Sequence, residues 1–403
     1  MNKQYAAGTE SINLFEKRAH APTGRLDSIQ MLRALAVLMV ALYHLTVLFP
    51  DPRAARYAIP DPLYFGYAGV DLFFVISGFI ITHVTRRESI DIKEFIWKRI
   101  FRIVPLYWLI TTVLVVIWFF KPGIIPIRAD NAGRFFLDSF FLIPTSERPL
   151  LGVGWTLQHE FQFYALIAIL VYFGLKRWSA HFLILLFAVA VYLHVIAAPG
   201  SFPWDWKIFS LYALQFALGV MAYRINARWR INAPFLLIIF AAIAFICTST
   251  LITPLMDADR EVDVVAQGAF GIGRVIGYGL ASFALILGAL NIKKRKTDNR
   301  KGAFDRLILA VGDASFVIYL THNLVIQALA MITRRFDNPW FIAVGGAVAL
   351  IIIVVVGIAA HVFLERPLLS FLEKRVLPVF TGHRADRLSI AATSATGKDS
   401  SDV

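Results

Sequence analysis

Apolar runs of about 18–25 residues recur along most of this 403-residue chain. A helix of about 20 apolar residues crosses the roughly 30 Å hydrocarbon core of a lipid bilayer. Hydrophobic residues make up 58% of the chain and charged residues 17%. Soluble domains average about 45–50% and 25%. The sequence therefore predicts an all-α polytopic membrane protein.

Lysine and arginine concentrate in every second segment between the apolar runs, most densely in "KKRKTDNRKGAFDR" at 293–306. Because cytoplasmic segments are enriched in these residues, the pattern predicts a bundle of about ten transmembrane helices with both termini in the cytoplasm. The candidate spans lie near residues 29–49, 64–84, 103–120, 158–175, 180–198, 207–224, 233–252, 270–291, 307–332 and 340–364.

Polar segments flank the membrane region at both ends. We predict a disordered cytoplasmic leader at 1–28, a transmembrane domain at 29–370 and a largely disordered cytoplasmic tail at 371–403. The stretch "FFLDSFFLIP" at 135–144 lies in an outside loop and is typical of an interfacial helix.

The formal net charge is +13 and the chain has one cysteine, Cys247. In a soluble chain the charge would suggest nucleic acid, but here the orientation rule accounts for it, so no nucleic-acid partner is predicted. A lone cysteine forms no internal disulfide and matches no metal-ligand spacing. The sequence therefore predicts no bound metal.

The first apolar run, "MLRALAVLMVALYHLTVLF" at 31–49, contains Arg33 and His44. They are close to three helical turns apart, so they share one face at depths separated by roughly 16 Å. Ionisable residues within spans usually face the bundle interior and mark functional sites. The alternative is an anchoring arginine that reaches the interface and a buried histidine bonded to a neighbour.

Two arginines stand at the start of the third span, in "WKRIFRIVPLYW" at 97–108. Arg99 and Arg102 are three residues apart and so lie on one helix face near the cytoplasmic side. Two guanidinium groups so placed can bind phosphate through paired hydrogen bonds. The alternative is that they only anchor the helix on the inside.

The fourth span begins near "GVGWTLQHEFQFY" at 152–164 and carries Glu160. The predicted topology puts Glu160 near the outer side, level with His44. A carboxylate beside an imidazole fixes its tautomer and raises its basicity. The alternative is an acid at a helix end that faces the surface.

Further polar residues lie within the second and ninth spans. Ser315, Tyr319 and His322 are spaced at i, i+4 and i+7, which makes one helical stripe. Hydrogen bonding between helices is the alternative to a catalytic role for this stripe. Within "GVDLFFVISGFI" at 69–80, Gly78 favours close backbone packing.

Taken together, these segments resemble the acyltransferase 3 family of membrane O-acyltransferases, over residues from about 25 to 370. Six pieces stand in the family's order: Arg33 with His44; "GVDLFFVISGF" at 69–79; Arg99 and Arg102 with "PLYW"; "WTLQHEFQFY" at 155–164; "GDASFVIYLTH" at 312–322; and "FLERP" at 363–367.

The resemblance implies transfer of an acyl group, most often acetyl, from cytoplasmic acyl-coenzyme A to a glycan hydroxyl. The acceptor would be an envelope or secreted polysaccharide, or its polyisoprenoid-linked precursor, and the exopolysaccharide branch of the family is the most similar. The location implied is a bacterial inner membrane, with the lipid bilayer, donor and glycan as partners. Acyl-CoA is a co-substrate here, and no cofactor is permanently bound.

The resemblance also implies roles for single residues. His44 would act as the general base or as the acyl carrier, oriented by Glu160. A hydrogen bond from Tyr319, Ser315 or His322 would stabilise the thioester oxygen. The implied sets are a catalytic one of His44, Glu160, Tyr319 and His322, a donor-binding one of Arg33, Arg99, Arg102, Ser77 and Trp108, and an acceptor-binding one of Trp155, Ser315 and Asp71.

A secondary transporter or flippase for a lipid-linked glycan is the alternative function, because ten spans with buried polar residues would suit it as well. Inverted repeats, which many transporters contain, are not evident in the sequence.

Overall fold

A computed structural model describes residues 27–45, 66–86, 90–121, 131–145, 148–193, 209–252, 268–292, 302–333 and 339–381. These residues are almost all helical, and no strand occurs among them. The helices are α1 Asp27–His44, α2 Gly69–Val84, α3 Ile92–Phe120, α4 Ala132–Phe140, α5 Trp155–Tyr172, α6 Ser179–Val191, α7 Ala213–Arg228, α8 Pro234–Cys247, α9 Gly268–Asn291, α10 Ala303–Asp313, α11 Ser315–Thr333 and α12 Pro339–Ala360.

The chain continues as a helix beyond α12. A π-helical turn, His361–Glu365, leads into α13 Arg366–Phe371, and a second one, Leu372–Val376, leads into α14 Leu377–Thr381. Helical structure thus extends past residue 370, where we expected the disordered tail to begin. The reason is packing, because Leu377 is buried and the Phe380 ring lies 4.0 Å from that of Trp97 in α3. Residues 382–403 and 1–26 lie outside the described part of the chain.

Six helices in the described part are long and apolar enough to cross a bilayer, which makes this a multi-pass membrane protein. They are Gly66–Val84, Ile92–Phe120, Pro234–Leu251, Gly271–Asn291, Ser315–Ile332 and Val344–Thr381.

The other four predicted spans correspond to α1, α5, α6 and α7, which are shorter or carry more polar residues. The predicted spans at 29–49 and 180–198 also run partly into residues outside the described ranges. The count of ten and the cytoplasmic termini therefore stay predictions. The predicted helix near 135–144 is present as α4.

Two close approaches between helix backbones fix the centre of the bundle. At the α2–α7 crossing, a Cβ on Gly219 would lie 2.1 Å from the Val75 carbonyl oxygen, and one on Gly78 would lie 2.3 Å from that of Phe216. The packing role predicted for Gly78 is confirmed. Where α10 meets α1, a Cβ on Gly312 would lie 2.1 Å from the Gln30 carbonyl oxygen. Glycine at these crossings lets helices approach at backbone distance.

Replacement of Gly219 by alanine should lower the unfolding midpoint of the detergent-solubilised protein. The added methyl group would push α2 and α7 apart, and overpacking costs about 1–3 kcal/mol. Gly133→Ala in α4 is the matched control, because a Cβ there meets nothing within 4 Å. Equal midpoints for the two variants would contradict the packing role of Gly219.

α1 and α2 lie at the centre of the bundle. α1 contacts α2, α9, α10, α11 and α12, and α2 contacts α5, α7 and α9 as well. The polar residues of α1 therefore face protein, as ionisable residues within membrane spans usually do.

Candidate active site

A pocket opens between five helices, α1, α2, α3, α5 and α11. It encloses about 750 Å³ of space, a volume that includes its open mouth. We call it the arginine pocket, because three guanidinium groups contribute to its wall. The lining residues are Arg33, Val70, Phe73, Phe74, Ile76, Ser77, Ile80, Ile81, Arg99, Arg102, Ile103, Thr156, Leu157, Glu160, Tyr164, Ser315, Phe316 and Tyr319.

The described contacts of two of the three arginines are a long hydrogen bond and aromatic rings. Arg33 is 8% exposed and its Nη1 donates to Gln30 Oε1 at 3.3 Å. The Arg99 guanidinium lies 5.7 Å from the Phe95 ring centre and 5.8 Å from that of Tyr164. Arg99 Nε is buried and has no hydrogen-bond partner among the described residues. Cations crowded into low dielectric repel each other unless an anion balances them.

One carboxylate within the pocket, that of Glu160, balances this charge in part. Glu160 Oε1 accepts a hydrogen bond from Ser77 Oγ at 2.8 Å and another from the Tyr164 hydroxyl. Its charge also interacts with Arg33 and Arg99. Glu365 and Asp313 also interact with Arg33 from outside the pocket lining. The lining itself carries three cations and one anion, which suits an anionic ligand.

His44 pairs with a second histidine rather than with Glu160. His322 Nε2 lies 3.2 Å from His44 Nδ1, and the ring centres are 4.8 Å apart. Our expectation that Glu160 orients His44 is corrected in this respect. The physical reason is that the Glu160 carboxylate faces the arginines of the pocket and accepts hydrogen bonds from the hydroxyl groups of Ser77 and Tyr164.

Backbone carbonyls determine which nitrogen of each ring carries the proton. His322 Nδ1 lies 2.6 Å from the Tyr319 carbonyl oxygen, and a carbonyl can only accept, so this nitrogen is the N–H. His322 Nε2 then accepts from His44 Nδ1, which also lies 2.9 Å from the Val40 carbonyl oxygen. In the neutral histidine pair, His44 Nε2 therefore carries the lone pair that a general base requires.

Tyr319 connects the arginine pocket to this histidine pair. Its ring lines the pocket and lies 5.7 Å from the His322 ring. Its hydroxyl lies 3.0 Å from Thr156 Oγ1 and donates to the Val153 carbonyl oxygen at 3.1 Å. The Tyr319 proton is thus engaged, as are the N–H groups of the histidine pair.

Ser315 contributes a hydroxyl of a different kind to the pocket wall. The residue is fully buried, and its Oγ has no hydrogen-bond partner among the described residues. A buried polar atom usually has a partner, and one without a partner in a pocket indicates a ligand or water contact. Of the three groups expected to act on a thioester oxygen, only this one has its hydrogen-bonding capacity unused by the described residues.

Sequence comparison places the chain in a known family. The sequence profile described as "acyltransferase domain" in the acyltransferase 3 family matches residues 26–358. The chain belongs to the acyltransferase 3 family. This membership makes the protein an acyltransferase and agrees with the resemblance carried by its motifs.

Two kinds of curated relatives are similar to this acyltransferase 3 chain. The exopolysaccharide production protein ExoZ of Rhizobium meliloti (strain 1021) is 29% identical over 326 residues, which are 75% of this chain and 90% of that protein. Peptidoglycan O-acetyltransferase OatA of Listeria monocytogenes is 31% identical over 206 residues, 44% of this chain and 30% of OatA. OatA of Staphylococcus aureus (strain NCTC 8325) is 32% identical over 170 residues, 38% of this chain and 26% of OatA. No solved structure matches the chain significantly.

Seven of the predicted site residues of this acyltransferase meet in the arginine pocket, and two more form the histidine pair beside it. The seven are Arg33, Ser77, Arg99, Arg102, Glu160, Ser315 and Tyr319. The chemical roles of these residues stay predictions.

Trp108 does not line the pocket, contrary to our expectation. Its side chain is 42% exposed and its Nε1 donates to the Phe140 carbonyl oxygen at 2.7 Å, which ties α3 to α4. More than two helical turns separate it from Arg99, so it lies farther out on α3 and on another face.

Trp155 and Asp71, predicted to bind the acceptor, lie in the core instead. The Trp155 ring packs against those of Phe74, His159 and Tyr212. Asp71 Oδ2 lies 3.1 Å from Arg274 Nη2, and both side chains are almost fully buried. A buried carboxylate requires a partner cation, and α9 supplies it.

Two buried pairs, Asp71 with Arg274 and His361 with Glu365, were not predicted from the sequence. Arg274 lies within the apolar run at 270–291, and a buried arginine requires an acid such as Asp71. His361 and Glu365 are hydrogen-bonded across the π-helical turn that joins α12 and α13. Their i, i+4 spacing next to "FLERP" was the signal available for the second pair.

Proposed function

We propose that this acyltransferase moves an acyl group, acetyl in the first instance, from acyl-CoA to a hydroxyl of an exopolysaccharide or its lipid-linked precursor. The observation that carries the proposal is the cationic surplus of the arginine pocket, with the histidine pair directly beyond Tyr319. The name of ExoZ, which matches most of this chain, favours an exopolysaccharide acceptor. The names of the OatA proteins favour O-acetyl transfer.

The donor fits the arginine pocket chemically. The phosphate groups of acyl-CoA would bind Arg33, Arg99 and Arg102, where the buried Arg99 Nε has no hydrogen-bond partner among the described residues. Glu160, with Ser77 and Tyr164, would hold the guanidinium groups in position. The pantetheine arm would pass Ser315 and bring the thioester towards Tyr319.

His44 is the residue proposed to move the proton. The acceptor hydroxyl attacks the thioester carbonyl carbon while His44 Nε2 takes its proton. The carbon–sulfur bond then breaks, and the imidazolium returns the proton to the leaving thiolate. General-base catalysis of this kind contributes about 10²–10⁴-fold. His322 takes the orienting place that we had assigned to Glu160, because it accepts from His44 Nδ1.

We propose a bacterial inner membrane as the location, with ten spans and both termini in the cytoplasm. The arginine end of the pocket would then be reached from the cytoplasm, where acyl-CoA is made. The histidine pair would lie towards the outside.

Acyl content of surface glycans tests this function. Cells without the gene should regain O-acetyl groups on the polysaccharide when wild-type protein is expressed, and should not regain them with His44→Ala at equal protein level. A transporter or flippase would behave differently, because loss of transport removes the polymer and accumulates its precursor. Loss of the polymer with accumulation of its precursor in the His44→Ala strain would therefore overturn the proposed function. Equal acetylation with wild type and His44→Ala would overturn the role of His44.

Removal of two guanidinium groups should weaken donor binding. In Arg99→Gln with Arg102→Gln, the affinity for acetyl-CoA should fall by at least about tenfold, since hydrogen bonds to charged groups contribute about 1.5–3 kcal/mol each. The measurement is equilibrium binding to purified protein in nanodiscs. Arg134→Gln on α4 is the control, because the Arg134 side chain is 85% exposed. Wild-type affinity in the double variant would show that the two arginines only anchor α3 at the cytoplasmic side and do not bind the donor.

A further inference from the structure

His361 and Glu365 form a histidine–carboxylate dyad that the proposed mechanism does not use. His361 Nδ1 is hydrogen-bonded to Glu365 Oε2, and the two side chains are 12% and 7% exposed. His361 Nε2 is buried and has no hydrogen-bond partner among the described residues. The dyad occupies a π-helical turn, a feature frequent at functional sites.

The dyad faces the protein interior. Ala349, Ile353 and Gly357 form the buried stripe of α12, and His361 and Glu365 continue it at the same four-residue spacing. A Cβ on Gly357 would lie 2.2 Å from Ile318 Cγ1, so this stripe packs against α11.

Two contacts fix the register between the helix that contains the dyad and the chain segment from the end of α10 into α11. Gly357 lies against Ile318 in α11, and farther along Arg366 Nη2 lies 3.9 Å from Asp313 Oδ2, at the end of α10. Residue numbers rise on one helix as they fall on the other, so the two run antiparallel. His361, one turn beyond Gly357, is therefore level with Ser315, which precedes Ile318 by one turn on the same side of α11.

Two buried polar atoms thus lie at one level of the α11–α12 contact, and neither has a hydrogen-bond partner among the described residues. One is Ser315 Oγ, on the wall of the arginine pocket, and the other is His361 Nε2. Glu365 accepts the Nδ1 proton of His361, so the neutral ring presents a lone pair at Nε2. A serine hydroxyl is the complementary donor, and one bridging water would connect the two atoms.

We propose that Ser315, His361 and Glu365 form a hydrogen-bonded relay that positions the Ser315 hydroxyl to bind the amide-containing arm of the donor. With its proton directed to His361, Ser315 Oγ faces the pocket as an acceptor. The complementary ligand group is an N–H, and the pantetheine arm of acyl-CoA carries secondary amides. Ser315 lies one turn from Tyr319 on α11, between the proposed thioester end and the arginines. This inference rests on the proposed donor. His361 and Glu365 are positioning residues in it.

Binding measurements with two ligands test the relay. In Ser315→Ala, His361→Phe and Glu365→Leu, affinity for acetyl-CoA should fall about fivefold, as expected for one lost hydrogen bond. Affinity for the adenosine bisphosphate portion of coenzyme A, which lacks the arm, should stay unchanged. The double variant Ser315→Ala with His361→Phe should bind no worse than either single one, because the residues act as a unit. Thr321→Val is the matched control, since its hydroxyl bonds to Val317 within α11.

A measurement without ligand separates the relay from the donor assignment. The unfolding midpoints of the Ser315 and His361 variants, single and double, form a cycle that should be non-additive if the residues are coupled. If wild-type protein binds neither ligand, the proposed donor is overturned, and this cycle alone then decides the relay. Additive effects in the cycle, or equal losses of affinity for both ligands, would overturn the relay. Glu365→Leu removes the acceptor of the His361 Nδ1 proton and serves where His361→Phe does not fold.

Discussion

The His44→Ala variant is expected to transfer acyl groups about 10²–10⁴-fold more slowly than the wild type. The neutral histidine pair leaves the lone pair of His44 on Nε2, whereas the lone pair of His322 accepts from His44 Nδ1. Donor binding should change little, because the arginine pocket is lined by other residues. The measurement is single-turnover transfer by purified protein, with acetyl-CoA affinity determined in parallel.

His322→Ala should reduce the rate less than His44→Ala, because it removes the partner of the base and leaves the base itself. His181→Ala on α6 is the control, since the His181 ring packs beside Trp178, away from the pocket. Near wild-type transfer by His44→Ala would rule out this residue as the base. Equal loss of transfer and of donor affinity would instead point to a binding role.

Replacement of Asp71 by alanine is expected to destabilise the protein by about 3–5 kcal/mol. The change would leave the Arg274 guanidinium, 1% exposed, buried without its carboxylate. Gln215 Nε2, which donates to Asp71 Oδ1 at 2.8 Å and to the Val275 carbonyl oxygen at 3.3 Å, would lose the shorter of these bonds. The midpoint of thermal unfolding in detergent should therefore fall by many degrees.

Removal of both charges separates this effect from a simple loss of contacts. Asp71→Leu with Arg274→Met should recover most of the stability, because well-packed apolar residues often replace a buried ion pair without cost. The surface pair Arg134 and Asp138, 3.7 Å apart with Arg134 exposed and Asp138 half-buried, is the control, and Asp138→Ala should cost less than about 1 kcal/mol. A midpoint for Asp71→Ala close to that of Asp138→Ala would contradict a structural role for the buried pair.

Apolar length predicted the class of fold well, because it follows directly from the thickness of the bilayer. It could not predict that α10 and α11 are separated by a break at Ala314, or that the last helix reaches Thr381. Those features depend on contacts between distant segments, such as Trp97 with Phe380. Helix periodicity reports the face on which a residue lies, and not which neighbour faces it.

The same limit explains the site. Arg33, Arg99 and Arg102 were predicted together because cations at one depth of a bundle are few, and the structure places all three in one pocket. Depth alone also suggested Glu160 for His44, yet the neighbour of His44 is His322. The choice between two candidates at similar depth is made by helix rotation and packing. For Asp71 the decisive partner, Arg274, stands more than 200 residues away in sequence.

Acyl transfer in inside-out membrane vesicles tests most directly whether His44 is the base and whether the arginine pocket binds the donor. Radiolabelled acetyl-CoA is supplied to the cytoplasmic face of vesicles that contain the glycan precursor and equal amounts of wild type, His44→Ala or Arg99→Gln with Arg102→Gln. We expect label on the glycan with wild type, almost none with His44→Ala, and recovery of labelling by the arginine variant at high donor concentration. Label that appears equally with wild type and His44→Ala, or no label with wild type, would contradict the proposed mechanism.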